Sequence, residues 1–266
     1  MIANILDKIV AAKKEEIVAA RRREPEADCR RRAENRDGQR PFAAGLKDCH
    51  DGKKTGIIAE IKRASPSAGV IRESLDAAAC ARQYEAGGAA ALSVLTDHPF
   101  FQGTLADLVS ARRAVSLPVL RKDFLITFYQ VYESAAAGAD AVLLIVRLLE
   151  NGQLRDMLAL CRQLGLDALV EVHNENDLKR ASSAGADIIG INNRDLSTFA
   201  TDTAVAIGLV SRMNRGQVPV AASGIKSAGD VRRGRQAGIY NFLIGESLVR
   251  AGDTAAFLRQ LAEILE

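Results

Sequence analysis

The feature that most limits how this chain can fold is a pattern that recurs eight times after Gly52. Short apolar runs stand at Ile57–Ile61, Ala90–Leu95, Pro118–Arg121, Ala141–Val146, Ala168–Val172, Asp187–Ile191, Val218–Ala221 and Asn241–Ile244, eight in all. Between them, at Asp76–Ala86, Thr104–Ala114, Gln130–Ala137, Gly152–Leu164, Asn176–Ala184, Ala204–Met213 and Ala228–Ala237, apolar residues recur at helical spacing. Continuous apolar runs suit strands covered on both faces, and a strand-then-helix alternation joins such strands in parallel. With no polar edge strand anywhere in the series, the sheet is expected to close on itself. The length of 266 residues is that of an eight-stranded barrel closing as one unit. The expected fold class is therefore α/β, a (β/α)8 TIM barrel with an N-terminal helical extension, and residues 1–266 are expected to form one domain.

The extension covers about residues 1–50. Ile2, Ile5, Leu6, Ile9 and Val10 recur at three- and four-residue steps between charges, which predicts helix from Met1 to about Arg36. The arginines at Arg21–Arg23 and Arg30–Arg32 read as a solvated helix face. Within the barrel region the segments "EAGGAAALSVL", "AAGADAVLLI", "SAGADIIGI" and "QAGIYNFLIG" echo one another at roughly 50-residue spacing, marking every second strand. Each places a glycine (Gly88, Gly138, Gly185, Gly238) where a left-handed residue would end a helix before a strand. Ser227 with Asp230, and Thr104 with Asp107, have capping-box spacing.

In such a barrel the reacting groups sit at the carboxyl ends of the strands. That filter selects Glu60 and Lys62, then Lys122 and Asp123, Glu171 and His173, Asn192, Asn193 and Arg194, Ser223, and Gly245 with Glu246. Strand alternation turns Glu60 and Lys62 the same way, and likewise Glu171 and His173. Two lysines and two glutamates converging on one mouth are costly to desolvate unless they are paired or used. His173 reads as a partly buried, hydrogen-bonded histidine. The last two strands end in "AASGI" and "FLIGESL", whose small residues leave N–H groups open to an anion, with a short helix expected to start near Gly245 or Glu246. Ser65 and Ser67 can add hydroxyl donors from the first loop.

Bulk properties exclude several classes of function. Lys and Arg total 36 against 33 for Asp and Glu, and a net charge of +3 is too small to suggest nucleic-acid binding. Cys29, Cys49, Cys80 and Cys161 are scattered, with no metal-ligand spacing, and read as reduced thiols of a cytoplasmic protein. No apolar run is long enough for a membrane span, and no signal-peptide core is visible.

The segments "IIAEIKRASPSAG", "YEAGGAAALSVLTD", "FFQG", "LPVLRKDF", "LLIV", "LVEVH", "IGINNRDL" and "FLIGESL" resemble, in order and across nearly the whole chain, those of indole-3-glycerol phosphate synthases of tryptophan biosynthesis. The resemblance implies that Glu60, Lys62, Lys122, Glu171, Asn192, Arg194 and Ser223 form the reaction site. It implies that Ser65, Gly224, Gly245 and Glu246 hold phosphate, the last two chiefly through main-chain N–H groups, and that Phe101 and Phe124 pack near the anthranilate ring. It also implies that the initial helix lies over the barrel. One position departs: the family reads Ser-Glu-Ser-Gly-Ile where this chain has Ala221, Ala222, Ser223, Gly224 and Ile225. Without the carboxylate at Ala222, the lysine of the first strand is expected to take Glu60 or a water as its partner.

The implied substrate, 1-(2-carboxyphenylamino)-1-deoxyribulose 5-phosphate, is a small anion carrying phosphate and carboxylate. Its aniline nitrogen supplies the electron density for ring attack on the ribulose carbonyl, so no metal or organic cofactor is expected. Lys122 is expected as general acid for ring closure, Lys62 as partner of the substrate carboxylate, Glu171 as base for dehydration, and Glu60 as the group orienting the lysines. Two other readings compete: a non-catalytic phosphate-binding barrel, and another phosphosugar enzyme such as phosphoribosylanthranilate isomerase. Lys62 with Arg63 in "KRASPS" favours the synthase over the isomerase, because only the former needs a partner for an aromatic carboxylate.

Overall fold

Eight parallel strands close into a barrel in the computed structural model, which describes residues 5–195 and 200–264. In chain order they are β1 (Gly56–Ile61), β2 (Ala91–Leu95), β3 (Val119–Lys122), β4 (Ala141–Ile145), β5 (Asp167–Val172), β6 (Ile188–Asn192), β7 (Val218–Ala222) and β8 (Asn241–Ile244). Each lies within about a residue of its expected apolar run. Registers such as Ile58↔Ala91 on one side of β1 and Ile58↔Leu243 on the other close the ring.

Period-two alternation sorts the side chains into two layers. Ile58, Leu120, Leu143, Leu169, Ile188, Val220 and Leu243 point into the barrel and pack as one cluster. Ile57, Val94, Val142, Val170, Ile189 and Phe242 point outward, beneath the surrounding helices. Those helices are α4 (Ala77–Ala86), α6 (Leu105–Ala114), α7 (Phe128–Ala136), α8 (Asn151–Gln163), α9 (Glu175–Ser183), α10 (Ala204–Val210), α11 (Ala228–Gln236) and α13 (Thr254–Ala262), with the shorter α5 (His98–Phe101) and α12 (Glu246–Arg250) at strand ends. Gly88, Gly138, Gly185 and Gly238 adopt the expected left-handed conformation, with φ of 79°, 86°, 81° and 89°. The capping boxes of Thr104 with Asp107 and Ser227 with Asp230 are formed.

The N-terminal extension is three helices, α1 (Ile5–Arg23), α2 (Glu26–Glu34) and α3 (Phe42–Asp51), rather than one continuous helix to Arg36. Pro25 supplies no N–H and cannot continue α1, so it stands instead at the N-cap of α2. The expected start at Met1 lies outside the described residues. Helix α3 has no counterpart in the sequence reading. Its Phe42 and Leu46 join the interior cluster and seal the amino-terminal end of the barrel. Two hydrogen bonds fix it there: Ala43 N donates to Asp167 Oδ2 at 2.7 Å, and Asn241 Nδ2 donates to the Leu46 carbonyl at 3.0 Å. Among the described residues no helix is long and apolar enough to cross a membrane.

Candidate active site

A cavity of 370 Å³ opens at the carboxyl ends of the strands, and the residues selected at those ends line it, except His173 and Asn193, which do not. Glu60, Lys122, Glu171 and Asn192 are delivered by the same local rule: a strand carries an inward-facing position one step beyond the apolar interior, where the barrel mouth meets water. At the end of β1, Lys62 Nζ lies 2.7 Å from Glu60 Oε1. Across the mouth, Lys122 Nζ from β3 lies 3.7 Å from Glu171 Oε2 of β5. Asn192 Nδ2 of β6 donates to Glu171 Oε1 at 3.1 Å, and Asn192 Oδ1 accepts the Arg194 N–H at 3.0 Å. The Arg194 guanidinium donates in turn to Ser67 Oγ, so the sixth strand end is tied to the first loop.

Glu60 and Glu171 are each only 4 % exposed. Burial alone would push the Glu60 carboxyl up, but Lys62 and Lys122, a hydrogen bond from Lys62 and the field of Arg194 outweigh it and hold the carboxyl below its ordinary value. Glu60 is therefore ionised at neutral pH. Beside Glu171, His173 has its side chain buried, with Nε2 3.4 Å from Glu171 Oε1 and Nδ1 3.8 Å from Asp177 Oδ2. Neither ring nitrogen has a hydrogen-bond partner among the described residues, which differs from the hydrogen-bonded role expected of it. Burial, more than any neighbouring charge, lowers its pKa and keeps it neutral.

One end of the cavity is polar and built from small residues. Ser223 and Gly224 are both left-handed, at φ 67° and 77°, and the Ser223 carbonyl is held by Asn193 Nδ2 at 3.1 Å. A left-handed serine costs about 1 to 2 kcal/mol, so its retention next to the cavity marks this turn as strained where the site needs it. Gly245 is the N-cap of α12, and the Glu246 carboxylate turns away to accept from Arg250 Nε at 3.0 Å. Ser65 lines the same end, where its Oγ accepts the Ala68 N–H at 3.2 Å. The opposite wall is aromatic: the Phe101 and Phe124 rings lie 6.0 Å apart at 39°. Among the described residues no group of three or more His, Cys, Asp or Glu converges as a metal centre.

The sequence pattern of the family described as "Indole-3-glycerol phosphate synthase" matches residues 6–261. The chain belongs to this family. A protein of that name from Desulfosudis oleivorans is 64% identical over 98% of this chain and 99% of its own length. Another, from Laribacter hongkongensis, is 46% identical over 98% of this chain and 99% of its own length. Among solved structures, the N-acetylmannosamine-6-phosphate 2-epimerase of Clostridium perfringens superimposes with a TM-score of 0.59 over 74% of this chain and 89% of that one, at 15% identity. The thiamine phosphate pyrophosphorylase of Pyrococcus furiosus gives 0.57 over 79% and 94%, also at 15% identity. At that identity these two likenesses concern the barrel fold alone.

Ala222, where the sequence resemblance led one to expect a glutamate, is a buried residue of β7 that lines the cavity. Glu60 supplies the carboxylate that Lys62 needs. One inference from sequence fails. Arg63 was read with Lys62 as favouring a partner for an aromatic carboxylate, yet its guanidinium binds Asp107 at 2.6 and 2.7 Å and the carbonyls of Leu75 and Gln102, away from the cavity. Alternation already placed it opposite Lys62. Asp123 is also committed elsewhere: its carboxylate accepts from Thr96 Oγ1 at 2.6 Å and Arg121 Nη2 at 3.0 Å. The initial helix lies over the cavity as the resemblance implied, with Ile5, Leu6 and Ile9 of α1 as its ceiling, whereas sequence reading missed the polar Lys226, Ser247 and Arg250 at the cavity's polar end. The i, i+4 spacing of Ile5 and Ile9 was the visible signal for the first set; nothing local marked the second.

Proposed function

We propose that this cavity binds 1-(2-carboxyphenylamino)-1-deoxyribulose 5-phosphate and converts it to indole-3-glycerol phosphate, with release of carbon dioxide and water, as a carboxy-lyase. The observation that carries the reading is the pairing of two lysines with two buried carboxylates, Lys62 with Glu60 and Lys122 with Glu171, at the mouth of one cavity. The phosphate is assigned to Ser65, Gly224, Gly245 and Glu246, and the aryl ring to the wall of Phe101 and Phe124, with Asn192, Arg194 and Ser223 between them.

The bond forms from the ring carbon that bears the carboxylate, because decarboxylation at that carbon is what restores aromaticity. Lys122 gives a proton to the alkoxide that develops on the ribulose carbonyl, and Lys62 holds the substrate carboxylate. Carbon dioxide then leaves with its bonding electrons returned to the ring. In the dehydration, a lysine ammonium protonates the departing hydroxyl while Glu171 removes a proton from the neighbouring methylene. Two protons are given and one is taken, and the difference is the proton consumed by decarboxylation of a carboxylate. The approach of Lys122 Nζ and Glu171 Oε2, at 3.7 Å, lets a small side-chain rotation pass the base's proton back to the acid. The four cysteines are unbridged, which supports a reducing, cytoplasmic setting.

The test is the appearance of indole absorbance and fluorescence when the purified chain meets the carboxyphenylamino substrate. Binding of inorganic phosphate without any indole would instead identify a non-catalytic barrel.

A further inference from the structure

Lys13 is a charged residue where the sequence leads one to expect an apolar one. It continues the i, i+4 stripe of Ile5, Ile9 and Ile17 on α1, and it is 2 % exposed. Its ammonium lies 2.8 Å from Asp97 Oδ2 and 2.9 Å from Asp123 Oδ1, and also binds Glu16. Asp97 and Asp123 are themselves buried, at 0 % and 3 % exposure. A buried charge cluster of this kind is costly and gives little net stability compared with apolar packing, so its retention points to a positional role.

Each aspartate has a second task. Asp97 is the N-cap of α5, where its Oδ1 accepts the Phe100 N–H at 3.0 Å and so fixes the turn that carries Phe101. Asp123 Oδ1 accepts the Phe124 N–H at 2.8 Å. Thus one ammonium binds the two carboxylates from which the two aromatic residues of the cavity wall hang. The same side chain sits one helical turn from Ile9, which forms part of the ceiling over those rings. Arg121 and Thr96 complete the surroundings on the far side of Asp123, with Glu133 beyond Arg121.

We propose that Lys13 is a positioning residue that sets the Phe101 and Phe124 rings, and with them the fit of the substrate's aryl group, by holding Asp97 and Asp123 together under α1. The ring-setting claim stands on geometry alone; its consequence for the aryl group rests on the function proposed above. Lys13 touches no reacting atom, and its effect is confined to one end of the cavity.

The test uses the full chain with 4-fluorophenylalanine incorporated at all phenylalanines, the Phe101 and Phe124 resonances being assigned by single substitutions. In Lys13→Met those two fluorine signals shift or broaden while those of Phe42 and Phe242, buried elsewhere in the barrel, stay in place. KM for the carboxyphenylamino substrate rises about tenfold or more, as expected for a misplaced binding surface, while inhibition by inorganic phosphate is unchanged. Asp97→Asn, which keeps Lys13 paired with Asp123, should disturb Phe101 more than Phe124, and it serves as the test if Lys13→Met does not fold. The proposal is overturned if both signals stay put in these variants, if all phenylalanine signals move together, or if KM and phosphate inhibition change in parallel. A wild-type chain that makes no indole would sink the proposed reaction, and the fluorine spectra would still decide whether Lys13 sets the rings.

Discussion

Gly245→Ala is the substitution for which the structure changes the expected outcome most. From sequence, a side chain at Gly245 should obstruct main-chain donors to phosphate and so raise KM more than it lowers kcat. In the structure a Cβ at this position overlaps Glu60 Oε1 and stands 3.1 Å from both Cβ and Cδ of Glu60. The overlapping atom, Oε1, is the one paired with Lys62 at 2.7 Å, so the carboxylate must move away and give up that pairing, while the root of Glu60 has to yield by a few tenths of an ångström. A hydrogen bond between charged groups is worth about 1.5 to 3 kcal/mol, which at about 1.4 kcal/mol per decade is roughly a ten- to hundredfold loss of kcat/KM. The loss should fall mainly on kcat, because the displaced group orients the lysines rather than the phosphate. The assay is steady-state indole formation beside Glu60→Gln, with inorganic phosphate as a competitive probe of the anion site. If Gly245→Ala keeps normal kcat while Glu60→Gln loses tenfold or more, Glu60 is not held by this glycine and the reasoning is wrong. If instead phosphate inhibition disappears and kcat survives, the sequence-based expectation was the better one.

Three further outcomes are expected. Lys122→Ala should lower kcat by about two to four orders of magnitude with phosphate inhibition intact, and near-normal turnover would transfer the acid role to Lys62. Arg63→Ala removes the bonds to Asp107 and the Leu75 carbonyl, so it should cost about 1 to 3 kcal/mol, or some 2 to 10 °C in Tm, with KM unchanged; a large KM effect would return Arg63 to the anion site. Burial raises the Asp123 carboxyl but Arg121 and Lys13 pull it down to about 2, below its ordinary 3.8. Because the folded value is the lower one, its contribution of about 2 kcal/mol is complete above pH ~4 and is lost as pH falls toward ~2. Denaturant titrations of wild type and Asp123→Asn should therefore show a flatter pH dependence for the variant between those values, and superimposable curves would contradict the assignment.

The barrel was legible because its strands carry their own signal: apolar runs bounded by Ala-Gly helix ends, with inward positions that turn polar only at the mouth. Glu60, Lys62, Lys122 and Glu171 were found by that change in pattern. What escaped notice depended on distant partners. Lys13 finds its counter-charges at Asp97 and Asp123, more than eighty residues on, and no local pattern indicates them. Helix α3 is short, and its Phe42 and Leu46 make sense only as a plug in a barrel not yet built. Two errors were avoidable, since Pro25 already forbade one continuous helix and alternation already set Arg63 against Lys62.

The plug formed by α3 also bears on how the chain is made. Its carbonyl at Leu46 is bound by Asn241, 195 residues later, so this partner is synthesised long after the helix itself. At translation rates of about 5 to 20 residues per second, Phe42 and Leu46 wait roughly 10 to 40 s for the strand that covers them. For that interval the apolar helix face is covered only in part, by strands made earlier such as β1 and β5. Early folding must therefore proceed from neighbouring strand-helix units, with sealing of the barrel floor as a late, slow event set by the long reach of that contact.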